Sequence, residues 1–265
     1  DSSPEVEDGV PDTTEVRLKA SIRVQNLDFF YNGTQVLSDI SFDVDEGQTV
    51  ALVGRTGSGK STIANLLCRL RQVPDGTIFI GGRDINRIPL RVLRRHIGYS
   101  PQETFLFSDT VAGNIAFGRP EADLGEVRTV ANVSNILEEI EALPERFDTF
   151  VGERGITLSG GQKQRLAISR ALFTDPRILI LDDSLSAVDT KTEEKILREL
   201  SSEIVDRTAL LISHRISTVK AADKILVLEQ GRLVESGSHE TLVAQGGTYA
   251  DLYEKQLLKE QLNIE

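Results

Sequence analysis

Residues 47–62 read GQTVALVGRTGSGKST, and the reading of this stretch decides the fold. Gly47 to Val53 has the make-up of a short buried strand, with Val50, Leu52 and Val53 as β-formers in an apolar run. Gly54, Gly57 and Gly59 then interrupt the pattern, and Lys60, Ser61 and Thr62 open an apolar helix containing Ile63, Leu66 and Leu67. The spacing Gly54-x-x-x-x-Gly59-Lys60-Ser61 between a strand and a helix is the P-loop in the context that confirms it. Glycines let successive backbone N–H groups converge on a phosphate without Cβ clashes, and the helix start adds partial positive charge. Arg55, Thr56, Ser58 and Thr62 belong to the same cradle. Lys60 is expected to reach the β- and γ-phosphates of a nucleotide, and the Ser61 hydroxyl to ligate Mg²⁺. An ordinary glycine-rich turn would need the whole pattern and both flanking elements to match by accident.

Composition bounds the setting. A chain of 265 residues, 39% hydrophobic and with 21 Gly, has ample material for one large or two small domains. No apolar run approaches the ~18–20 residues of a membrane span; the longest, around 178–181, is strand-sized. No signal-peptide pattern opens the chain. The single cysteine, Cys68, excludes an internal disulfide, and its place in the helix after the P-loop predicts a buried core thiol. The absence of Met suggests a piece of a longer polypeptide. A net charge of −11 argues against binding of a nucleic-acid backbone.

Outward from the P-loop, residues 1–20 are acidic and read as a solvated linker or a plain tail. Ile22, Val24, Leu27 and Phe29 approximate strand alternation, Tyr31-Asn32-Gly33 makes a turn, and a second strand runs from Val36 to Asp45. Pro74-Asp75-Gly76 and Gly81-Gly82 bound a further hairpin, and 91–95 is a short basic helical stretch read as a solvated face. Short helices are expected at 111–115, 126–131 and 136–143, so 104–171 reads as a helical insertion. Another helix opens after Ser159, a plausible N-cap. From 177 onward strands and helices alternate, which after a P-loop implies a largely parallel sheet wrapped by helices.

Ile178-Leu179-Ile180-Leu181-Asp182-Asp183 is a buried parallel strand ending in two carboxylates. It delivers Asp182 to the sheet edge where open α/β sheets bind ligands, and a carboxylate there can hold Mg²⁺. Asp183, next in line, stands where a base could orient a water for in-line attack.

With Leu158-Ser159-Gly160-Gly161-Gln162 added, the chain resembles the nucleotide-binding domain of an ATP-binding cassette (ABC) transporter over about residues 21–255. That resemblance implies an α/β P-loop NTPase fold: a RecA-like parallel core (21–103 and 172–265) with an N-terminal antiparallel β-subdomain, an inserted helical subdomain (104–171), and 1–20 as the linker to a transmembrane domain. It implies ATP and Mg²⁺ as ligands. Tyr31 would stack on adenine, with Val36 in the nucleotide site beside it. Gln102 would reach Mg²⁺ and the attacking water, Asp182 would associate with Mg²⁺, and His214 would meet the γ-phosphate. Ser159, Gly160, Gly161, Gln162 and Asp189 would act across the interface of a head-to-tail dimer. His96 and His239 match nothing catalytic. The stretches 104–108, 149–155 and 246–249 look exporter-like, though Phe150 stands where the family usually has Glu. The implied place is the cytoplasmic face of a membrane, as a soluble part of a transporter, with no nucleic-acid partner.

One departure bears on mechanism. The family usually carries Glu after the Mg²⁺-associated aspartate; here it is Asp183, one methylene shorter. General-base catalysis depends first on hydrogen-bond reach, so a retracted carboxylate stands to lose much of a ~10²–10⁴-fold contribution. Two readings stand: the weak-site half of a heterodimeric exporter, or a homodimer in which Asp183 works through a displaced water. Beside the transport ATPase stand a nucleotide-gated dimerisation module with negligible turnover and a soluble non-transport ABC ATPase.

Overall fold

The computed structural model describes residues 6, 8, 18–119, 121–152, 156–204 and 207–261. Its elements run β1 (Ile22–Tyr31), β2 (Thr34–Val44), β3 (Thr49–Val53), α1 (Lys60–Leu67), β4 (Ile78–Ile80), β5 (Arg83–Asp84), α2 (Leu90–His96) and β6 (Ile97–Ser100). Then come β7 (Asp109–Thr110), α3 (Val111–Ile115), α4 (Leu124–Val133), α5 (Leu137–Glu141), β8 (Phe150–Val151), α6 (Gly160–Phe173), β9 (Ile178–Asp182) and α7 (Thr190–Ile204). The last are β10 (Thr208–Ile212), α8 (Ile216–Val219), β11 (Lys224–Glu229), β12 (Arg232–Gly237), α9 (His239–Gln245) and α10 (Thr248–Gln261). The chain divides into two compact units, Asp1–His96 with Thr208–Glu265, and Ile97–Arg207. Among the described residues no helix is long and apolar enough to cross a membrane.

In the first unit, β3 lies between β11 and β10 and is parallel to both, with Leu52 opposite Leu226 and Ile212. β12 returns antiparallel to β11. Strands enclosed in this way have no polar face, which is why Val50, Ala51 and Leu52 read as a continuous apolar run and are fully buried. Ile216, Val219, Leu242 and Tyr249 pack with Ala51, Val53, Ile225 and Val227. Each fully buried aliphatic side chain of this kind contributes ~1.5–3 kcal/mol. A second sheet in this unit has the order β2-β1-β4-β5 and is antiparallel. The imperfect alternation of β1 has a local cause: the register shifts between Val24 and Leu27, where Asn26 takes φ +47. Asn accepts the left-handed region more readily than most residues, so the bulge resets which face Leu27 occupies.

In the second unit, β6 and β9 pair in parallel, with Ser100 opposite Leu181. The short helices have their own core: Val111, Ile115, Val127, Ile136, Phe147 and Phe173 bury their side chains there. α6 starts on Ser159 as the sequence predicts, with a complete capping box in which Ser159 and Gln162 satisfy each other's backbone amides. Cys68 is buried as expected. The resulting α/β arrangement, parallel strands with helices plus an antiparallel sheet, is the expected fold class.

Candidate functional site

The P-loop leaves β3 and enters α1 as the spacing predicts. Gly54 has φ +151, and a Cβ there would lie 2.2 Å from the Leu228 carbonyl oxygen and 2.8 Å from Ser58 Oγ. The loop therefore leaves the sheet in contact with the end of β11, which only glycine permits. Lys60 is 8% exposed and its Nζ donates to the carbonyl oxygens of Gly54 (2.8 Å) and Arg55 (3.0 Å) and to Ser58 Oγ (3.4 Å). The ammonium is thus held inside the turn of its own loop. Ser58 is fixed further by Gly231 N, which donates to its carbonyl at 3.1 Å. Arg55, Thr56 and Gly57 are exposed, Ser61 is half-buried, and Gly59 and Thr62 are buried.

This cradle fits a phosphate. α1 has no side-chain cap and no acidic residue in its first turn, so its own sequence places no negative charge at its start. The Val36 carbonyl lies against the same loop, 3.4 Å from where a Cβ on Gly59 would be. Tyr31, half-buried at the end of β1, meets Phe29 edge-on at 4.9 Å, and the Arg71 guanidinium lies 5.7 Å from its ring centre. His214 follows β10 by two residues and is exposed. Ser213 N donates to the Leu52 carbonyl at 3.4 Å, which brings the chain carrying His214 beside the strand that ends in the P-loop. Tyr31, Val36, the P-loop and His214 thus all belong to the first unit.

The second unit holds Gln102, Asp182, Asp183 and the 158–162 motif. Asp182 ends β9 and is 2% exposed, with Tyr99 Oη 3.5 Å from its Oδ2. Ser184 Oγ donates to the Ser100 carbonyl at 2.8 Å, tying the turn after β9 to the end of β6, two residues before the exposed Gln102. Asp183 is half-buried with φ +48. Aspartate is one of the few residues other than glycine that takes this conformation readily. The Gln102 amide oxygen and the Asp182 carboxylate in this unit, like the Ser61 hydroxyl in the first, are hard oxygen donors of the kind that suits Mg²⁺.

The 158–162 motif meets the loop after β9. A Cβ on Gly161 would lie 2.9 Å from the Ala187 carbonyl oxygen, so glycine there permits close approach to Ala187 and Val188. Gln164 supplies the clamp that the sequence reading missed. Buried at 6% exposure, it accepts from Ala187 N (2.8 Å), donates to Ser186 Oγ (2.9 Å) and stands 3.5 Å from the Asp183 carbonyl. A buried Gln two residues past the motif was the available signal. Asp189 accepts from Thr192 N at 3.0 Å at the start of α7; hydrogen bonds from Thr192 and backbone amides hold its carboxyl below the usual range. Gln162 joins a pairing with Glu139 and Arg165. Phe150 pairs with Thr110 in β8–β7 and is exposed, while residues 153–155 of the exporter-like loop, and most of 1–20, lie outside the described residues. The Nδ1 atoms of His96 and His239 are engaged by the Val92 carbonyl and the Tyr249 hydroxyl, each at 2.8 Å.

The ABC transporter family model matches residues 37–186, more than half of the chain. The chain belongs to the ABC transporter family. Among its ABC relatives it is 50% identical over 240 residues to the ATP-dependent lipid A-core flippase of Pseudomonas aeruginosa, covering 89% of this chain and 40% of that protein. It is 46% identical over 244 residues to human ATP-binding cassette sub-family B member 6, covering 92% of this chain and 29% of that protein. A solved structure of a bacterial Atm1-family ABC exporter with ATP bound superposes with a TM-score of 0.89 at 43% identity, covering 95% of this chain and 44% of that one. The chain therefore spans less than half the length of these relatives. The sequence resemblance to an exporter-type ABC nucleotide-binding domain holds.

Proposed function

We propose that this chain is the nucleotide-binding domain of an ABC exporter, that it binds MgATP, and that a pair of such domains hydrolyses ATP to power export across a membrane. The observation that carries the reading is the P-loop: a buried lysine drawn into a glycine turn at the uncapped start of α1, in a chain that belongs to this family. In this reading 104–171 is a helical subdomain set into a core of 21–103 and 172–265, and 1–20 leads from a transmembrane domain of the same full-length chain, at the cytoplasmic face of the membrane.

The roles follow from the residues. Tyr31 and Val36 receive the nucleoside end of ATP. Lys60 exchanges its loop carbonyls for the β- and γ-phosphate oxygens. Ser61, Gln102 and Asp182 hold Mg²⁺, which when bound offsets negative charge on the phosphates. Asp183 accepts a proton from the attacking water, Gln102 orients that water, and His214 donates toward the γ-phosphate. Ser159, Gly160, Gly161 and Gln162 of one domain, with Asp189, close over the nucleotide of the other in a head-to-tail pair. ATP then bridges two domains, so its binding energy drives closure and hydrolysis releases it.

Asp183 makes this chain's own site the slow one, and the favoured assembly is a heterodimer whose partner carries Glu at that position. Support comes from the shorter side chain and from φ +48, a conformation that suits Asp better than Glu. The test is nucleotide binding against turnover. The unaltered chain should bind MgATP and Lys60→Ala should lose at least about tenfold in affinity, a loss of ~1.4 kcal/mol. Equal affinity of the two would refute the assignment of the site.

A further inference from the structure

The two faces of the 158–162 motif are held differently. On one side Gln164 clamps the loop after β9. On the other, the capping box ties the Gln162 side chain to the start of α6: Gln162 Oε1 accepts from Ser159 N at 2.8 Å, and Ser159 Oγ accepts from Gln162 N at 3.2 Å. The box leaves the amides of Gly160 and Gly161, the first two of the helix, without intrahelical acceptors. These are the groups the proposed function directs at a phosphate. Their aim depends on the box, and the box depends on which way the Gln162 amide points.

Glu139 of α5 decides that orientation. Its Oε2 accepts from Gln162 Nε2 at 2.7 Å, so the nitrogen is drawn outward and the oxygen is left facing the Ser159 amide. The other carboxylate oxygen, Oε1, meets Arg165 Nη1 at 2.7 Å. Arg165 is buried, one turn along α6 from Gly161, and its Nε donates to the Gly161 carbonyl at 3.3 Å. Burial alone would push the Glu139 carboxyl up, but the hydrogen bonds from Arg165 and Gln162 hold it below the usual range, so it is ionised and accepting at neutral pH. A bare carboxylate beside a helix start that is to receive a phosphate would repel it. The guanidinium partner offsets that charge while the carboxylate keeps its grip on Gln162.

We infer that Glu139 is a positioning residue for the phosphate bound across the dimer, acting through Gln162 to set the start of α6. It touches neither nucleotide nor metal. The inference rests on the paired-domain reading above, and the experiment separates the two. The full 265-residue chain and its Glu139→Ala and Glu139→Gln variants are compared in three measurements: MgATP affinity of the monomer, MgATP-driven association, and amide hydrogen exchange at Ser159 and Gln162.

Glu139→Ala removes the acceptor and should weaken association about tenfold, with faster exchange at both amides, while monomer affinity at the P-loop is unchanged. Glu139→Gln keeps an acceptor for Gln162 and should restore association to within about threefold of the unaltered chain. Unchanged association and exchange in Glu139→Ala would overturn the inference. So would tighter association, which would make Glu139 a repulsive charge, or equal weakening in both variants. Absence of MgATP-driven association in the unaltered chain would refute pairing of two copies of this domain and leave pairing with a Glu-bearing partner standing; the exchange rates would then still decide whether Glu139 holds the helix start.

Discussion

Gln164→Ala is the perturbation whose size follows most directly from the geometry. The side chain joins α6 to residues 183–187 through an acceptor for Ala187 N at 2.8 Å and a donor to Ser186 Oγ at 2.9 Å. Each is worth about 1 kcal/mol net. The contact with the Asp183 carbonyl, at 3.5 Å, is too long to add much. Ala187 is exposed, so water can satisfy its freed amide, and no full desolvation penalty follows. Truncating a stem that is 6% exposed adds a packing loss of order 1 kcal/mol. The sum is about 2–3 kcal/mol, or roughly 4–12 °C in Tm for a chain of this size.

Chemistry should suffer separately. The clamp fixes the turn that begins at Asp183, whose carbonyl also accepts from Ser186 N at 3.1 Å. A loosened base costs about 10–100-fold in rate, the upper figure being what a misplacement of about 1 Å can cost. Urea unfolding gives the first quantity, and single-turnover hydrolysis at saturating MgATP gives the second. Nucleotide affinity should stay unchanged, because the P-loop belongs to the other unit. A variant as stable and as fast as the unaltered chain would refute the clamp. Lost affinity with unchanged rate would refute its assignment to the base.

Three further outcomes are expected. Gly54→Ala places a Cβ 2.2 Å from the Leu228 carbonyl oxygen, so nucleotide affinity should fall at least about tenfold by titration calorimetry, with ~1–3 kcal/mol of backbone strain visible in urea unfolding. Asp183→Glu should raise turnover by at least about tenfold at unchanged MgATP affinity, within the range a positioned general base supplies, and cost ~1 kcal/mol of stability because φ is +48. Tyr249, buried against His239, has its hydroxyl pushed from the usual 10.0 up to about 12, chiefly by burial. The folded state keeps that proton longer than the unfolded chain. Its contribution is therefore complete below pH 10 and is lost as pH rises to about 12, and Tyr249→Phe should flatten that alkaline slope in denaturation curves.

What the sequence showed was what is locally encoded. The P-loop, the strand ending in Asp182 and the N-cap at Ser159 each lie within one short stretch, where spacing alone specifies geometry. Gly33 marked its hairpin turn for the same reason. The missed features are pairings between stretches far apart in sequence. Nothing in the pattern around Glu139 announces Arg165 and Gln162, more than twenty residues on. The place of Arg71 over Tyr31 depends on how α1 returns the chain toward β1. The bulge at Asn26 was visible only as an alternation that slipped, because a strand pattern records which residues are buried and not where the register shifts. Helix ends were the other weak point. α4 runs Leu124–Val133, beyond the 126–131 read from the sequence, because Asp123 caps it ahead of the apolar positions that marked it.

This chain is expected to hold MgATP well at its own P-loop and to hydrolyse it slowly there. One measurement addresses both halves: quench-flow hydrolysis by the unaltered chain at saturating MgATP, with bound nucleotide quantified in parallel. The expected result is stoichiometric ATP on the protein and steady turnover well below ~1 s⁻¹, the lower end of ordinary enzymatic rates. Turnover inside the ~1–10³ s⁻¹ range with Asp183 intact would contradict it.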